Sequence, residues 1–514
     1  MLVAALTAGT AGAQDTYDAA NFAGKDLNGT ARYIGMGGAL GALGGDLTVM
    51  GTNPAGTAIF RRNEVAFSAS GIFTDEKGQL GHDSHRASLD QAGVIFTLDQ
   101  EGSGYSGLQY INFGVNYTKS RNHLGNIGVG IGNLGGIFSQ THQIADLANS
   151  EYAADVSSEL IQQGDFFNTQ YWGMLSYLSA PDYDQAGKLN KDGIIFDNYD
   201  SNTGDFLGFE GIGAKSAEYS RATYGSTSQA DINLSFNVSD KYFWGISLGV
   251  YDINYSRESY YSETGIDNRS YAFRNSYETN GEGFDLKLGM ICRPVDDSPF
   301  RFGIAIHTPT WYNLEDQNSS TIFYQGNYVA SEATDPYEYT YRTPWKFGLS
   351  LGHTIGKTVA LGAEYEFADF STCHYDVRGG DYNTSNKDYY RAINDFMKDN
   401  LRAQHTLKLG VEWKPATNFA IRAGYNLVTS PYKSSAFSTL PFGGNRTETD
   451  FCNWGNINRY TLGVGYRYKG GYFDIAYQYQ AQKGDFYAFD DQDLAPTQIK
   501  NDRMQVLATL GFRF

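Results

Sequence analysis

The sequence predicts an all-β chain, rolled into a 14-stranded antiparallel transmembrane β-barrel. Three features carry this: period-two alternation sustained over about a dozen residues, connections that divide into short turns and long loops, and a final strand ending on an aromatic residue.

Ile232, Leu234, Phe236 and Val238 alternate with Asp231, Asn233, Ser235 and Asn237. The same rhythm places Leu462, Val464, Tyr466 and Tyr468 on one face, and likewise Phe473, Ile475, Tyr477 and Tyr479. Such alternation marks strands with one apolar face. A soluble sandwich shows it too, but over runs of ~5–6 residues. A tilted strand crosses a bilayer in ~9–11 residues, which these runs exceed. Met504, Val506, Ala508, Leu510, Phe512 and Phe514 repeat the pattern to the end of the sequence.

Strands are predicted near 63–74, 88–99, 108–118, 226–239, 242–258, 281–292, 300–312, 338–353, 358–371, 401–414, 419–431, 457–469, 472–486 and 503–514. A further run at 126–138 is assigned to loop, because a fifteenth strand would break the even count of single-chain bacterial barrels. Asp240-Lys241, Gly356-Lys357, Pro415–Asn418 and Gly470-Gly471 are short turns on one rim. The other rim carries long extracellular loops with short helices, among them Asp388–Asn400 and the insertion 119–225. Within that insertion Phe166, Phe167, Tyr171, Trp172 and Leu175 are candidates for an external apolar groove, or for packing between loop helices.

Fourteen strands ~4.8 Å apart and tilted ~40° give a backbone diameter of ~28 Å, too wide for lining side chains to fill. Residues 14–62 precede every strand and are available to occupy the lumen. Their centre, Ala31–Gly56, is too glycine-rich for a long helix. Gly37, Gly41 and Gly45 recur at a spacing that lets another backbone approach. Asp46 is a candidate N-cap for a turn over Leu47–Gly51, and Asn53-Pro54 sets an extended or turn conformation.

Ala31-Arg32, Gly35-Met36-Gly37-Gly38-Ala39, Asp46 and Asn53-Pro54-Ala55-Gly56 together resemble the N-terminal hatch of the FadL/TodX family of outer-membrane transporters. The resemblance implies a hatch inside the lumen, with Gly35, Met36, Gly37, Gly38, Asp46, Asn53, Pro54 and Ala55 as gating residues. It implies passive transport of hydrophobic small molecules such as long-chain fatty acids across the outer membrane of a Gram-negative bacterium. Cargo would leave sideways past Asn-Pro-Ala, through a wall irregularity that the sequence places at Ile111–Tyr117. The partners are then a hydrophobic ligand and outer-membrane lipid. Two alternatives come from relatives: a type IX secretion shuttle barrel with a secreted-protein partner, and a haemin receptor. The terminal Phe514 resembles the signal that directs such proteins to their insertion machinery.

The remaining properties agree. A formal charge of -18 argues against nucleic acid. Mean hydropathy is negative, which a barrel with a polar lumen permits. Residues 1–13 read as a signal peptide without its basic region. For Cys292, Cys373 and Cys452, a Cys373–Cys452 bridge and three free thiols are both open. Gly245–Gly249 and Gly348–Gly352 match G-x-S-x-G, but inside strands with no helix following, so no catalytic residue is assigned. The histidines form no ligand cluster, and neither metal nor cofactor is expected.

Overall fold

The computed structural model describes residues 16–74, 80, 84–100, 107–132, 134–136, 139–142, 195–200, 202–204, 206–333, 336–378, 384–436, 451–487 and 495–514. Fourteen antiparallel strands close into a barrel. They are β1 (Glu64–Thr74), β2 (His85–Asp99), β3 (Leu108–Asn122), β4 (Ala214–Val238), β5 (Tyr242–Gly265) and β6 (Ser270–Cys292). There follow β7 (Arg301–His307, resumed at Trp311–Tyr324), β8 (Tyr337–Arg342, resumed at Lys346–Ile355) and β9 (Val359–Asp369, resumed at His374–Val377). The last five are β10 (Ala403–Ala416), β11 (Phe419–Val428), β12 (Phe451–Tyr468), β13 (Gly471–Tyr487) and β14 (Thr497–Lys500, resumed at Arg503–Arg513). Each pairs with its neighbours in the chain, and β1 closes on β14 from Glu64↔Arg513 to Thr74↔Arg503.

The alternation resolves into two faces. On β5, Trp244, Ile246, Leu248 and Val250 are exposed, while Gly245, Ser247 and Gly249 turn inward and are buried. On β8, Phe347, Leu349 and Leu351 face out, as do Phe284, Leu286 and Leu288 on β6. A continuous apolar belt around a polar interior is a surface suited to hydrocarbon. No helix among the described residues is long and apolar enough to cross a membrane.

Beyond the belt β4, β5 and β6 continue to 25, 24 and 23 residues. The sequence assigns 126–138 to loop, yet Gly125–Ile131 is strand, pairing with β4 from Gly125↔Thr223 to Ile131↔Ala217. After a break at His123-Leu124 it prolongs β3 on the same partner, so it adds no fifteenth crossing. Strand thus occupies both flanks of the 119–225 stretch.

Single register shifts occur elsewhere in the wall, as at Ser68/Ala69 and Lys119/Arg121, but three neighbouring strands are interrupted together at one place. Thr308-Pro309-Thr310 interrupts β7, Thr343-Pro344-Trp345 interrupts β8, and a 3-10 turn, Phe370–Thr372, interrupts β9. The breaks lie side by side: His307↔Lys346 and Trp311↔Arg342 bracket the first two, and Lys346↔Ala368 and Arg342↔His374 the last two. Pro309 and Pro344 have no N–H to give a ladder. Across the gap Thr310 N donates to Thr343 Oγ1 (2.8 Å) and Thr343 N donates to Thr310 O (3.1 Å). Ile111–Tyr117, where the sequence places the irregularity, is instead regular: its register runs unbroken against β2 and β4. Its Asn and Gly residues face the lumen for a different purpose.

Cys373 and Cys452 are both unbridged. Cys373 Sγ lies 3.2 Å from the Tyr341 hydroxyl, whereas Cys452 lies on β12 opposite Phe486.

Candidate functional site

The N-terminal segment fills the lumen. It begins as helix α1 (Thr16–Ala23), continues through α2 (Ala31–Gly35), and ends in two 3-10 turns, Leu47–Gly51 and Pro54–Ile59. Its route can be followed by the wall it touches. Asn28 donates to Asp90 on β2 (2.8 Å), and Ala31 N donates to Thr509 on β14 (2.8 Å). Ile34 packs on Ala476 of β13, and Gly35 O accepts from Thr461 on β12 (3.4 Å). Gly37 lies against Leu409 of β10 and Tyr425 of β11, and Gly41 N donates to Glu364 on β9 (3.1 Å). Leu43 O accepts from Arg301 on β7 (2.7 Å). The chain therefore makes most of a circuit, visiting the strands in reverse order. It then returns: Asn53 faces Gly289 and Gly303 on β6 and β7, Pro54 meets Gly245 on β5, and Thr57 donates to Asn233 on β4 (2.7 Å). Asn112 of β3 completes the loop, donating to Thr57 O (3.1 Å).

Two features of the sequence make that tight winding feasible. Gly37 and Gly38, at φ of 61° and 81°, end α2 by turning into the left-handed region, with Gly38 N donating to Tyr33 O (2.9 Å). The wall supplies the other half. At Gly245, Gly362, Gly410 and Gly424 a Cβ would occupy the space of the plug backbone at Pro54–Ala55, Ala39, Met36 and Gly37. These inward glycines, including one from each G-x-S-x-G match when Gly352 beside Leu43 is counted, are packing positions for the plug. Sequence reading missed them; the available signal was glycine at inward positions of alternating strands.

Each predicted hatch residue has a definite place. Asp46 caps Leu47–Gly51 through Thr48 N (3.0 Å) and accepts from the Thr30 hydroxyl (2.7 Å), tying the two arms of the plug together. Asn53 Nδ2 donates to Gly41 O (2.9 Å), and its Oδ1 accepts from Ala55 N (3.2 Å). Gly35, Met36, Pro54 and Ala55 are buried against the wall. Phe166, Phe167, Tyr171, Trp172 and Leu175 lie outside the described residues. The predicted helix at Asp388–Asn400 is α3 (Thr384–Asn400), whose Tyr390, Ile393 and Met397 pack into an aromatic collar with Tyr339, Tyr341 and Tyr375. Tyr341 donates to Ala19 O (2.7 Å), seating α1 inside that collar.

Below α1 an internal chamber opens. Its upper part, about 170 Å³, is lined by Tyr17, Asp18, Arg121, His123, Arg221, Arg257, Tyr432, Trp454, Arg459 and Arg503. A lower part, about 100 Å³, shares Lys25, Asp26 and Arg459 and reaches His307 and Lys346 beside the wall breaks. Asp26 is gripped by Arg503 (2.8 Å) and Arg459 (3.5 Å) and accepts from Asn122 N (3.0 Å). Burial would raise its carboxyl, but Arg503, Arg459 and Arg121 outweigh burial and hold it well below the usual range. Asp18 pairs with Arg257 (3.5 Å). Burial, with Lys346 and Lys287 nearby, brings the Lys25 ammonium down to about 7. Lys25 donates to the Tyr251 hydroxyl (2.9 Å) and to Gln229 (3.2 Å). Burial and Arg121 lower His123 to about 3, so its ring is neutral. Among the described residues no group of three metal-ligating side chains forms. The chamber is thus cationic, with aromatic walls, and none of its arginines was singled out from sequence.

The chain resembles FadL- and TodX-type channels. Among solved structures it is similar to a Pseudomonas aeruginosa FadL homologue, at 13% identity over 95% of this chain and 98% of that one, with a TM-score of 0.48. The Ralstonia pickettii toluene transporter TbuX is 12% identical over 95% and 99%, at 0.49. The CymD monoaromatic hydrocarbon channel is 10% identical over 96% and 99%, at 0.48. No protein-family model matches the chain, and no curated protein matches its sequence. Identity this low concerns the path of the backbone alone.

Proposed function

We propose that the barrel sits in the outer membrane of a Gram-negative bacterium and passively transports hydrophobic small molecules bearing an anionic head, long-chain fatty acids foremost. The observation that carries this is the chamber: Arg121, Arg221, Arg257, Arg459 and Arg503 against Asp18 and Asp26, beside Tyr17, Tyr432 and Trp454. A neutral aliphatic hydrocarbon gains nothing from the arginines, and an aromatic one only the ~0.5–2 kcal/mol of a cation–π contact. A carboxylate gains ~1.5–3 kcal/mol from each well-made charged hydrogen bond, while its chain packs on the rings.

Release follows the lower chamber to His307 and Lys346, and passes the plug at Thr52-Asn53. There Thr52 O accepts from His307 Nε2 (2.6 Å). The β7–β8 seam is the exit, with Trp311 and Trp345 on its lipid side. Among the described residues only the two Thr310–Thr343 hydrogen bonds close the gap, each worth ~0.5–1.5 kcal/mol, so parting it costs little. An apolar chain of cargo gains ~0.8 kcal/mol per CH₂ by entering lipid directly.

The test is binding of palmitate and of its methyl ester to the purified barrel. The acid is expected to bind more tightly, and Arg121→Gln to weaken the acid at least tenfold while leaving the ester unchanged. A Thr310→Cys/Thr343→Cys cross-link is expected to stop delivery to the bilayer and leave binding intact. Equal binding of acid and ester would refute the anionic cargo; undiminished delivery through the cross-linked barrel would refute the exit.

A further inference from the structure

On the rim of short turns, beneath the plug, lies a second charged feature that the transport reading does not use. A basin of about 400 Å³ is lined by Arg32, Arg61, Arg62, Arg301, Arg467 and Arg513 together with Lys414. One carboxylate, Glu412, faces it. The chain as a whole carries -18. The acids near the basin are already engaged. Glu412 pairs with Arg422 (2.7 Å), Arg32 (3.2 Å) and Lys414 (3.2 Å), Asp240 with Arg61 (2.6 Å), and Glu64 with Arg513 (2.5 Å). Among the described residues Arg62, Arg301 and Arg467 have no ion-pair partner, and the buried Nε of Arg301 has no acceptor. Such crowding of like charge at the mouth of a low-dielectric cylinder projects a positive field into the space the short turns face.

We infer that this basin docks an acidic polypeptide segment of a soluble partner on the short-turn side. Two observations favour an extended chain over a small anion. The cations come from the plug segment and from the ends of β7, β10, β12 and β14, and a second cavity of about 440 Å³ shares Lys414 and Arg467 with the basin. The floor carries Leu43, Ile59 and Phe60, apolar contacts that a phosphate ion cannot use and a peptide can. The inference is independent of the cargo.

The experiment uses the full-length barrel in lipid nanodiscs, open on both sides, with fluorescein-labelled octaglutamate as probe. Saturable binding that weakens steeply between 50 and 300 mM salt is expected, as for any site built on several charge contacts. Inorganic phosphate at tenfold molar excess over the peptide is expected not to displace it. Arg62→Glu with Arg467→Glu should weaken binding at least tenfold, and the corresponding Lys pair should restore it to within about threefold. Lys398→Glu, on exposed α3 at the opposite mouth, should have no effect. Heat-dependent gel mobility establishes that every variant is a folded barrel. Absence of saturable binding, displacement by phosphate, or equal loss in Lys398→Glu would overturn the assignment.

Discussion

Asn53→Ala isolates the plug from the barrel that holds it. Asn53 is 2% exposed, and its amide does two jobs: it donates to Gly41 O and accepts from Ala55 N. The second is the N-cap of the 3-10 turn Pro54–Ile59, and losing a cap costs ~1 kcal/mol. The first leaves a buried carbonyl without a donor, worth a further ~1–3 kcal/mol. No β-ladder hydrogen bond is touched. The plug's local opening equilibrium should therefore shift by ~2–4 kcal/mol, about 30- to 1,000-fold, while the barrel is unmoved. Hydrogen exchange by mass spectrometry reads both quantities in one experiment. Amides of residues 44–60 should lose protection by that factor, and those of β4–β6 should not change. Unchanged protection in 44–60 would show that Asn53 does not hold the plug. Equal loss in the strands would show that plug and barrel open as one unit, so that the plug does not move separately from the wall.

Three further outcomes follow from the same geometry. Gly245→Ala places a methyl where Pro54 O and Ala55 N lie, an overpacking that costs ~1–3 kcal/mol; the N-terminal segment should become protease-sensitive while heat-dependent gel mobility stays that of a folded barrel. Lys25, brought down to about 7, goes from roughly a tenth protonated at pH 8 to roughly nine-tenths at pH 6. Palmitate binding measured by titration should tighten over that range, and Lys25→Met should flatten the dependence. Stability runs the other way: the unfolded lysine takes its proton first, so this residue makes the plug progressively less stable as pH falls from 10.5 towards 7. Thermal unfolding of the wild type and Lys25→Met at pH 7 and pH 9 should differ in that sense.

Much of the architecture is determined locally and so was legible in the sequence. Strand alternation has period two and needs no partner to be read: Ile232, Leu234, Leu462 and Val464 declare an outward apolar face wherever the neighbouring strand lies. The same holds for the Asp46 cap, for the break at Asn53-Pro54, and for the short turns that fix the strand count. Tertiary structure alone decided what depends on register between distant strands. Pro309 and Pro344 are 35 residues apart, and only the pairing His307↔Lys346 sets their breaks side by side. The chamber has the same origin. Arg121, Arg257, Arg459 and Arg503 sit on four different strands, three at ordinary inward positions and Arg121 turned inward past the register shift at Lys119/Arg121, and become one cationic site only when a closed cylinder points them at a common axis. Alternation tells a residue which face it occupies; closure tells it what it faces.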